Sequence, residues 1–354
     1  MKQEDQRAQP LVVVTGADEN YSIGLAVTIR SMLHHLGADR QIQLHVIDGG
    51  FKPQTKSNLL KSWQDSRMEV VWHDVDMDEL SHLVIAGHLN HSTYLRLLIP
   101  SIVSQDVEKV IYLDADLLIR RDLGLLWDEP LGHNSVLAAQ ETSTPYIDST
   151  VVLADTPLKY SKLGTCSPIA NYRELGMHPH AKVFNAGVLV INVAKWREEN
   201  VPERVYECLE THREHVLFCD QYALNVVLHH RWRELDSRWN QNSHFYTYKT
   251  CEFSPLDEKT FDELNRDPWI CHFTWIHKPW FNECSHPFAG EYISQMKRTA
   301  WSSHRMLPNP ALAVKTQPRR TFKQWMKRRR ARILKQLTRF GIHVPEKECG
   351  RRAA

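Results

Sequence analysis

The chain has 354 residues, a formal net charge of +2, and apolar and charged fractions of 42% and 24%, the balance of an ordinary globular protein with one large or two small domains. Seven cysteines, at 166, 208, 219, 251, 271, 284 and 349, are widely spaced and form no Cys-x-x-Cys. This argues against a zinc site and for reduced thiols in a reducing compartment, the cytosol. Met1–Pro10 is polar with no apolar core, so no signal peptide is expected, and the longest apolar stretch, around Ala186–Ala194, is too short to span a bilayer.

In chain order, Leu11–Thr15 reads as a buried strand. The polar turn 16–20 follows, with Asn20 or Ser22 able to cap a helix. That helix carries Ile23, Ala26, Val27, Ile29, Leu33 and Leu36 at helical spacing, and Gly37 is its expected end. Gln41–Asp48 and Met68–His73 are further strands, with a helix over 53–65 between them, so the chain opens β-α-β-α-β, the pattern of a parallel sheet wrapped by helices. Ser92 or Thr93 opens a short helix through Leu98 that Pro100 is expected to stop.

The apolar run Val110–Leu113 leads into Asp114-Ala115-Asp116 and a second apolar run, Leu117–Ile119. In an extended chain, residues two apart point to one side. Two carboxylates at the end of a buried strand therefore suit a divalent cation, and ligands of open α/β sheets gather at strand carboxyl ends. Two other Asp-x-Asp triplets, Asp74-Val-Asp76 and Asp76-Met-Asp78, lack that setting.

Val136–Gln140 is a strand leading to Glu141. Residues 142–182, with prolines at 145, 157, 168 and 179, are irregular and long for a plain connection, which suggests a lid or acceptor loop. Val183–Val193 is a strand, Pro202–Arg213 and Asp220–His229 are helices, and Trp269–Thr274 is a late strand carrying His272. The tail from Gln317 is basic, with Trp325, Phe322, Ile333, Leu337 and Phe340 at roughly helical spacing. A basic amphipathic helix over 317–340 reads as a membrane-surface element, each cation contributing about 1 kcal/mol at an anionic leaflet.

Asp18, Asn20, Arg96, Asp114, Asp116, Glu141, Asn185, Asp220, Gln221, His272 and Lys278 all fall at strand ends or turns, where a doubly wound sheet can bring them to one edge. Such a set suits a metal-bound, negatively charged nucleotide. The segments that carry these residues resemble glycosyltransferase family 8, above all the bacterial lipopolysaccharide and lipooligosaccharide galactosyl- and glucosyltransferases. They are Ala17-Asp18-Glu19-Asn20-Tyr21, Ser92 to Leu97, Tyr112 to Asp116, Phe184 to Leu189, Asp220-Gln221, and His272-Phe273 with Lys278-Pro279-Trp280, spread from about Val12 to Trp280.

The resemblance implies an α/β GT-A fold, a Rossmann-like and mostly parallel sheet flanked by helices, over 11–290. A short disordered N-terminus, 1–10, would precede it, and a basic helical extension, 291–354, would follow. It implies a retaining hexosyltransferase that moves galactose or glucose from a UDP-sugar to a glycan or glycolipid acceptor. The cofactor would be Mn²⁺, with Mg²⁺ as the alternative. The location would be cytoplasmic, peripheral at the inner membrane face through 317–340, with no nucleic-acid partner. Carried over by position, Asp114, Asp116 and His272 resemble the metal ligands. Asp18, Asn20, Tyr21, Lys278 and Asp114 resemble nucleotide contacts, and Arg96, Asp114, Glu141, Asn185 and Asp220 resemble donor-sugar contacts. Gln221, Asp220 and Arg96 resemble the residues at the reaction centre. Gln221 stands where a nucleophile would lie and is a poor one, which favours front-face attack, with Asp220 the alternative nucleophile. The chain departs from the family at Trp275, where Gly is frequent, and at Glu141, where Asp is frequent. Two other readings are a haloacid-dehalogenase-type phosphatase, which also sets Asp-x-Asp after an apolar strand, and a non-catalytic glycan-binding protein.

Overall fold

The computed structural model describes residues 9–85, 90–155 and 167–310. The expected membrane helix over 317–340 and residues 156–166 of the irregular segment lie outside the described residues. The described residues up to Leu307 form one compact unit.

Among the described residues, this unit has ten strands: β1 (Leu11–Ala17), β2 (Ile42–Asp48), β3 (Met68–Asp74), β4 (Lys109–Leu113), β5 (Leu117–Ile119), β6 (Val136–Gln140), β7 (Phe184–Asn192), β8 (Trp232–Glu234), β9 (Gln241–Asn242) and β10 (Ile270–His272). Seven form one sheet in the order β3-β2-β1-β4-β7-β6-β8. β1 pairs in parallel with β2 and β4, β2 with β3, and β6 with β8, while β7 runs antiparallel to both of its neighbours. This is the mostly parallel α/β sheet that the opening pattern predicts. A second sheet, β5-β10-β9, stands apart from it.

Alternation along the central strand explains its burial on both faces. Val110 and Tyr112 enter one core layer with Val14, Leu189 and Trp196. Ile111 and Leu113 enter the other with Leu25, Ile29 and Val190. Each such apolar side chain contributes about 1.5–3 kcal/mol on burial.

The helix Ser22–His35 packs along the chain that carries the aspartates. Its Thr28 hydroxyl donates to the Leu117 carbonyl at 3.1 Å and accepts from the Leu117 N–H at 3.0 Å, and Ser31 Oγ accepts from the Ile119 N–H at 2.9 Å. These hydroxyls satisfy backbone groups of β5 that the main sheet leaves free. Gly24 permits the approach, since a Cβ there would lie 2.4 Å from the Ala115 carbonyl oxygen.

Several local expectations change. The first helix ends at His35, not Gly37, and Arg67 donates to the carbonyls of Leu33 and Leu36 at its end (2.9 and 2.8 Å). His91–Leu98 is a 3₁₀ helix capped by Asn90, whose Oδ1 accepts from the Ser92 N–H. Pro100 starts the short helix Ile99–Ile102 instead of stopping one, because first-turn N–H groups are unpaired in any helix. The helix Ala289–Met296 buries Tyr292 and Met296 against Val27, Leu118 and Phe273, so the boundary expected at 290 falls inside a packed element.

Candidate active site

The carboxyl end of β4 delivers Asp114 and Asp116, and the end of β10 delivers His272. The His272 Nε2 atom lies 3.2 Å from Asp116 Oδ1 and 3.7 Å from Asp114 Oδ2. One ligand atom from each of these residues falls within 4.8 Å of the others. Two carboxylates and an imidazole converging on one point fit a divalent cation, which these three residues would hold. The rival triplets fail this test: Asp74, Asp76 and Asp78 are all exposed, and Asp74 pairs with Lys56. Gly187, opposite on β7, makes room for the cluster, since a Cβ there would lie 2.2 Å from His272 Cε1 and 2.8 Å from Asp114 Oδ2.

Lys278 closes one side. Its Nζ pairs with Asp116 Oδ2, donates to the Phe273 carbonyl at 2.7 Å, and sits 5.5 Å from the Tyr21 ring centroid. Burial pushes the Asp116 carboxyl up, but Lys278 and His272 outweigh it and hold that acid well below the ordinary carboxylate range. For Lys278, burial favours loss of the proton, and Asp116, Tyr21 and Asp114 together more than reverse it, so the ammonium is retained.

Arg96 closes the other side. It is 4% exposed, projecting from the 3₁₀ helix, and its guanidinium lies 4.6 Å from the Tyr112 ring centroid. It reaches Asp114 Oδ1 at 2.9 Å, Asp220 Oδ2 at 3.0 Å and the Ala186 carbonyl. Tyr112 Oη also donates to Asp114 Oδ1, at 2.8 Å. Asp220 begins the helix Asp220–Val227, preceded by Cys219 at φ 48°. Burial raises its pKa, with Arg96 and the Thr93 hydroxyl opposing.

A third group lies behind β7. Glu141 follows the irregular end of β6, where the register with β7 shifts between Ala138 and Gln140. A bulge there re-aims the chain. Burial raises the Glu141 carboxyl, and hydrogen bonds from Asn185 and Ser143 outweigh this and lower it. Asn185 Nδ2 donates to Glu141 Oε2 at 2.7 Å, and Asn242 Nδ2 to Glu141 Oε1 at 2.6 Å. Gln221 uses its Oε1 to accept from the Ala186 N–H at 3.0 Å.

One cleft is lined by Tyr21, Arg96, Asp114, Asp116, Glu141, Asn185, Asp220, Gln221, His272 and Lys278. Asp18 and Asn20 do not line it; Asp18 caps the 3₁₀ turn Glu19–Tyr21 and accepts from Asn90, which does. Sequence reasoning missed Asn90, Thr93, Tyr112, Ser143, Asn240, Asn242 and His244. Tyr112 was within reach, because it lies two residues before Asp114 on the same side of β4. Trp275 lines the cleft with its indole 46% exposed, at φ 77°. The position where Gly is frequent in the family thus has the left-handed backbone that suits glycine.

The family model for glycosyl transferase family 8 matches residues 12–284. General stress protein A of Bacillus subtilis is 28% identical over 303 residues, covering 85% of this chain and 96% of that one. The lipopolysaccharide 1,3-galactosyltransferase of Salmonella typhimurium is 24% identical, covering 84% and 81%. Among solved structures, the galactosyltransferase LgtC, in complex with donor and acceptor sugar analogs, superposes with a TM-score of 0.66 at 23% identity, covering 83% of this chain and all of that one. No finding supports the phosphatase or the non-catalytic reading. The chain belongs to glycosyl transferase family 8.

Proposed function

We propose that the enzyme transfers galactose or glucose from a UDP-hexose to a hydroxyl of a glycan or glycolipid acceptor, with Mn²⁺ held by Asp114, Asp116 and His272. The observation that carries this reading is the convergence of those three side chains beside a buried, protonated Lys278. Mixed oxygen and imidazole donors favour Mn²⁺ over Mg²⁺ or Ca²⁺. When bound, the cation supplies positive charge at the diphosphate as the anomeric C–O bond breaks.

Lys278 adds a second positive charge at that place, fixed before the reaction begins and therefore worth more than one that must reorient. Tyr21, on the cleft wall, offers a ring to the uracil, with Asp18 and Asn20 beside it for the nucleoside. Arg96, fixed by Asp114, Asp220 and the Ala186 carbonyl, orients the acids facing the donor sugar. Gln221 Oε1 is occupied by the Ala186 N–H, and Asp220 is 2% exposed between Arg96 and Thr93. Neither is a free nucleophile, which supports front-face attack by the acceptor hydroxyl, with the leaving phosphate as its base. The composition of residues 317–340 supports contact with an anionic membrane surface at the cytoplasmic face.

The test is a panel of UDP-hexoses incubated with the enzyme and Mn²⁺, read by UDP release and by the anomeric configuration of the product. UDP-galactose or UDP-glucose should be consumed with retention. Failure of every UDP-hexose to react, or formation of the inverted anomer, would sink the proposal.

A further inference from the structure

A chain of side-chain amides links Glu141 to His272, and its polarity can be read from the groups at its start. Glu141 is 4% exposed and each of its oxygens accepts. Oε2 takes the Asn185 amide at 2.7 Å and the Gln221 amide at 3.4 Å. Oε1 takes the Ser143 N–H and hydroxyl, both at 2.8 Å, and the Asn242 amide at 2.6 Å. An ionised carboxylate only accepts, so Asn185 must turn its NH₂ toward Glu141. The Gly187 N–H, 2.9 Å from Asn185 Oδ1, demands the same orientation from the other end. Asn185 Oδ1 then receives the Asn240 NH₂ at 2.8 Å, which turns Asn240 Oδ1 toward His272 Nδ1 at 2.9 Å. An amide oxygen cannot donate, so Nδ1 carries a proton, and Nε2 is the ring nitrogen that faces Asp114 and Asp116.

We propose that Glu141, Asn185 and Asn240 are positioning residues that fix His272 in its metal-binding tautomer through this directed relay. The inference rests on the metal reading of Asp114, Asp116 and His272. It gives Glu141 a role different from the sugar contact that family resemblance implies, because five donors already occupy the carboxylate's roughly four lone-pair sites. Metal-bound imidazoles commonly owe their orientation to a partner on the other ring nitrogen, and losing such a partner weakens metal affinity about 10–100-fold. Here the partner is an amide whose direction is imposed by a carboxylate two residues further along the chain of contacts. Asn240 directly precedes β9, whose Asn242 pairs with His272 of β10, so the relay and the ligand are tied through one sheet.

The experiment has two arms. In the first, the full-length wild-type protein, labelled with ¹⁵N-histidine and loaded with diamagnetic Mg²⁺, is examined by NMR for the imidazole N–H of His272. The signal is assigned by its loss in His272→Gln. The relay requires a proton on Nδ1, protected from solvent exchange; a proton on Nε2 overturns it without any relay variant having to fold. In the second arm, Mn²⁺ affinity is measured by electron paramagnetic resonance of the free ion for wild type, Glu141→Gln and Asn240→Leu. Both variants should bind Mn²⁺ at least tenfold more weakly, with the His272 N–H losing its exchange protection. Glu141→Gln with wild-type Mn²⁺ affinity and a raised KM for the donor would instead make Glu141 a sugar contact and refute the relay. If wild-type protein fails to bind Mn²⁺, the metal reading itself falls, and the Nδ1 proton still decides the relay.

Discussion

A methyl group added at Gly187 collides with the imidazole of His272. The Cβ of Gly187→Ala would lie 2.2 Å from His272 Cε1 and 2.8 Å from both His272 Nδ1 and Asp114 Oδ2. Ordinary carbon contact begins at about 3.5 Å, so the ring or the strand must move by about 1 Å. β7 pairs with β4 at Val188 and with β6 at Leu189, and Gly187 itself is held by its carbonyl, which accepts from the Asp114 N–H, and by its N–H, which donates to Asn185 Oδ1, so the strand resists and the ring gives way. Overpacking of this kind costs about 1–3 kcal/mol, which a domain with a stability of about 5–15 kcal/mol survives. Metal sites tolerate only about 0.2 Å in ligand distance, and a 1 Å misplacement near the chemistry can cost about 10²-fold in rate. Gly187→Ala should therefore remain folded by circular dichroism and unfold a few degrees lower. Its kcat/KM for donor hydrolysis should fall by about two orders of magnitude, with Mn²⁺ affinity reduced. A folded Gly187→Ala protein with Mn²⁺ affinity and turnover within threefold of wild type would refute the geometry.

Three further outcomes are expected. Arg96→Leu leaves the buried Asp220 and the neighbouring Asp114 without their cation; breaking such a pair costs about 3–5 kcal/mol, which denaturant unfolding will read, with a loss near zero counting against the ion-pair account. At Trp275, Gly should be more stable than Ala by about 1 kcal/mol, reversing the usual order, because φ 77° penalises any Cβ and both variants lack the indole; an Ala variant more stable than the Gly variant would show that the backbone there is unstrained. Burial pushes His45 and His286 down to about 4, with His73 adding to the effect at His45. These bases are neutral in the fold and protonate in the unfolded chain, so the stability they contribute is complete above pH 6.5 and is lost as pH falls from 6.5 toward 4. Unfolding measured across that window should show falling stability, and His45→Gln should flatten the slope; an unchanged slope would mean that His45 is not held neutral.

The parts of the site that were legible in the sequence sit at the ends of long elements. The apolar run of β4 announces Asp114 and Asp116, and helical periodicity places Asp220 at a helix start. The parallel character of β1 to β3 follows from alternation with helices. The orientation of β7 does not, because a strand buried on both faces has the same apolar pattern whichever way it runs. The second sheet was also out of reach. β9 has two residues and β5 and β10 three each, too few for any period to show, and β5 reads as a continuation of β4. Asn240 and Asn242 were missed for that reason: nothing local distinguishes them from loop asparagines until β9 pairs with β10. The three Asp-x-Asp triplets show the complementary limit. Spacing alone cannot separate them, and only the burial of Asp116 beside His272 and Lys278 does.

The most direct test of the account is UDP release from UDP-galactose and UDP-glucose, titrated against Mn²⁺, in wild type, Asp116→Asn and His272→Gln. The account predicts saturable dependence on the ion in wild type, no release in the presence of chelator, and a loss of about 10²-fold or more in each variant. Release that persists with chelator, or proceeds at the wild-type rate in Asp116→Asn, would contradict it.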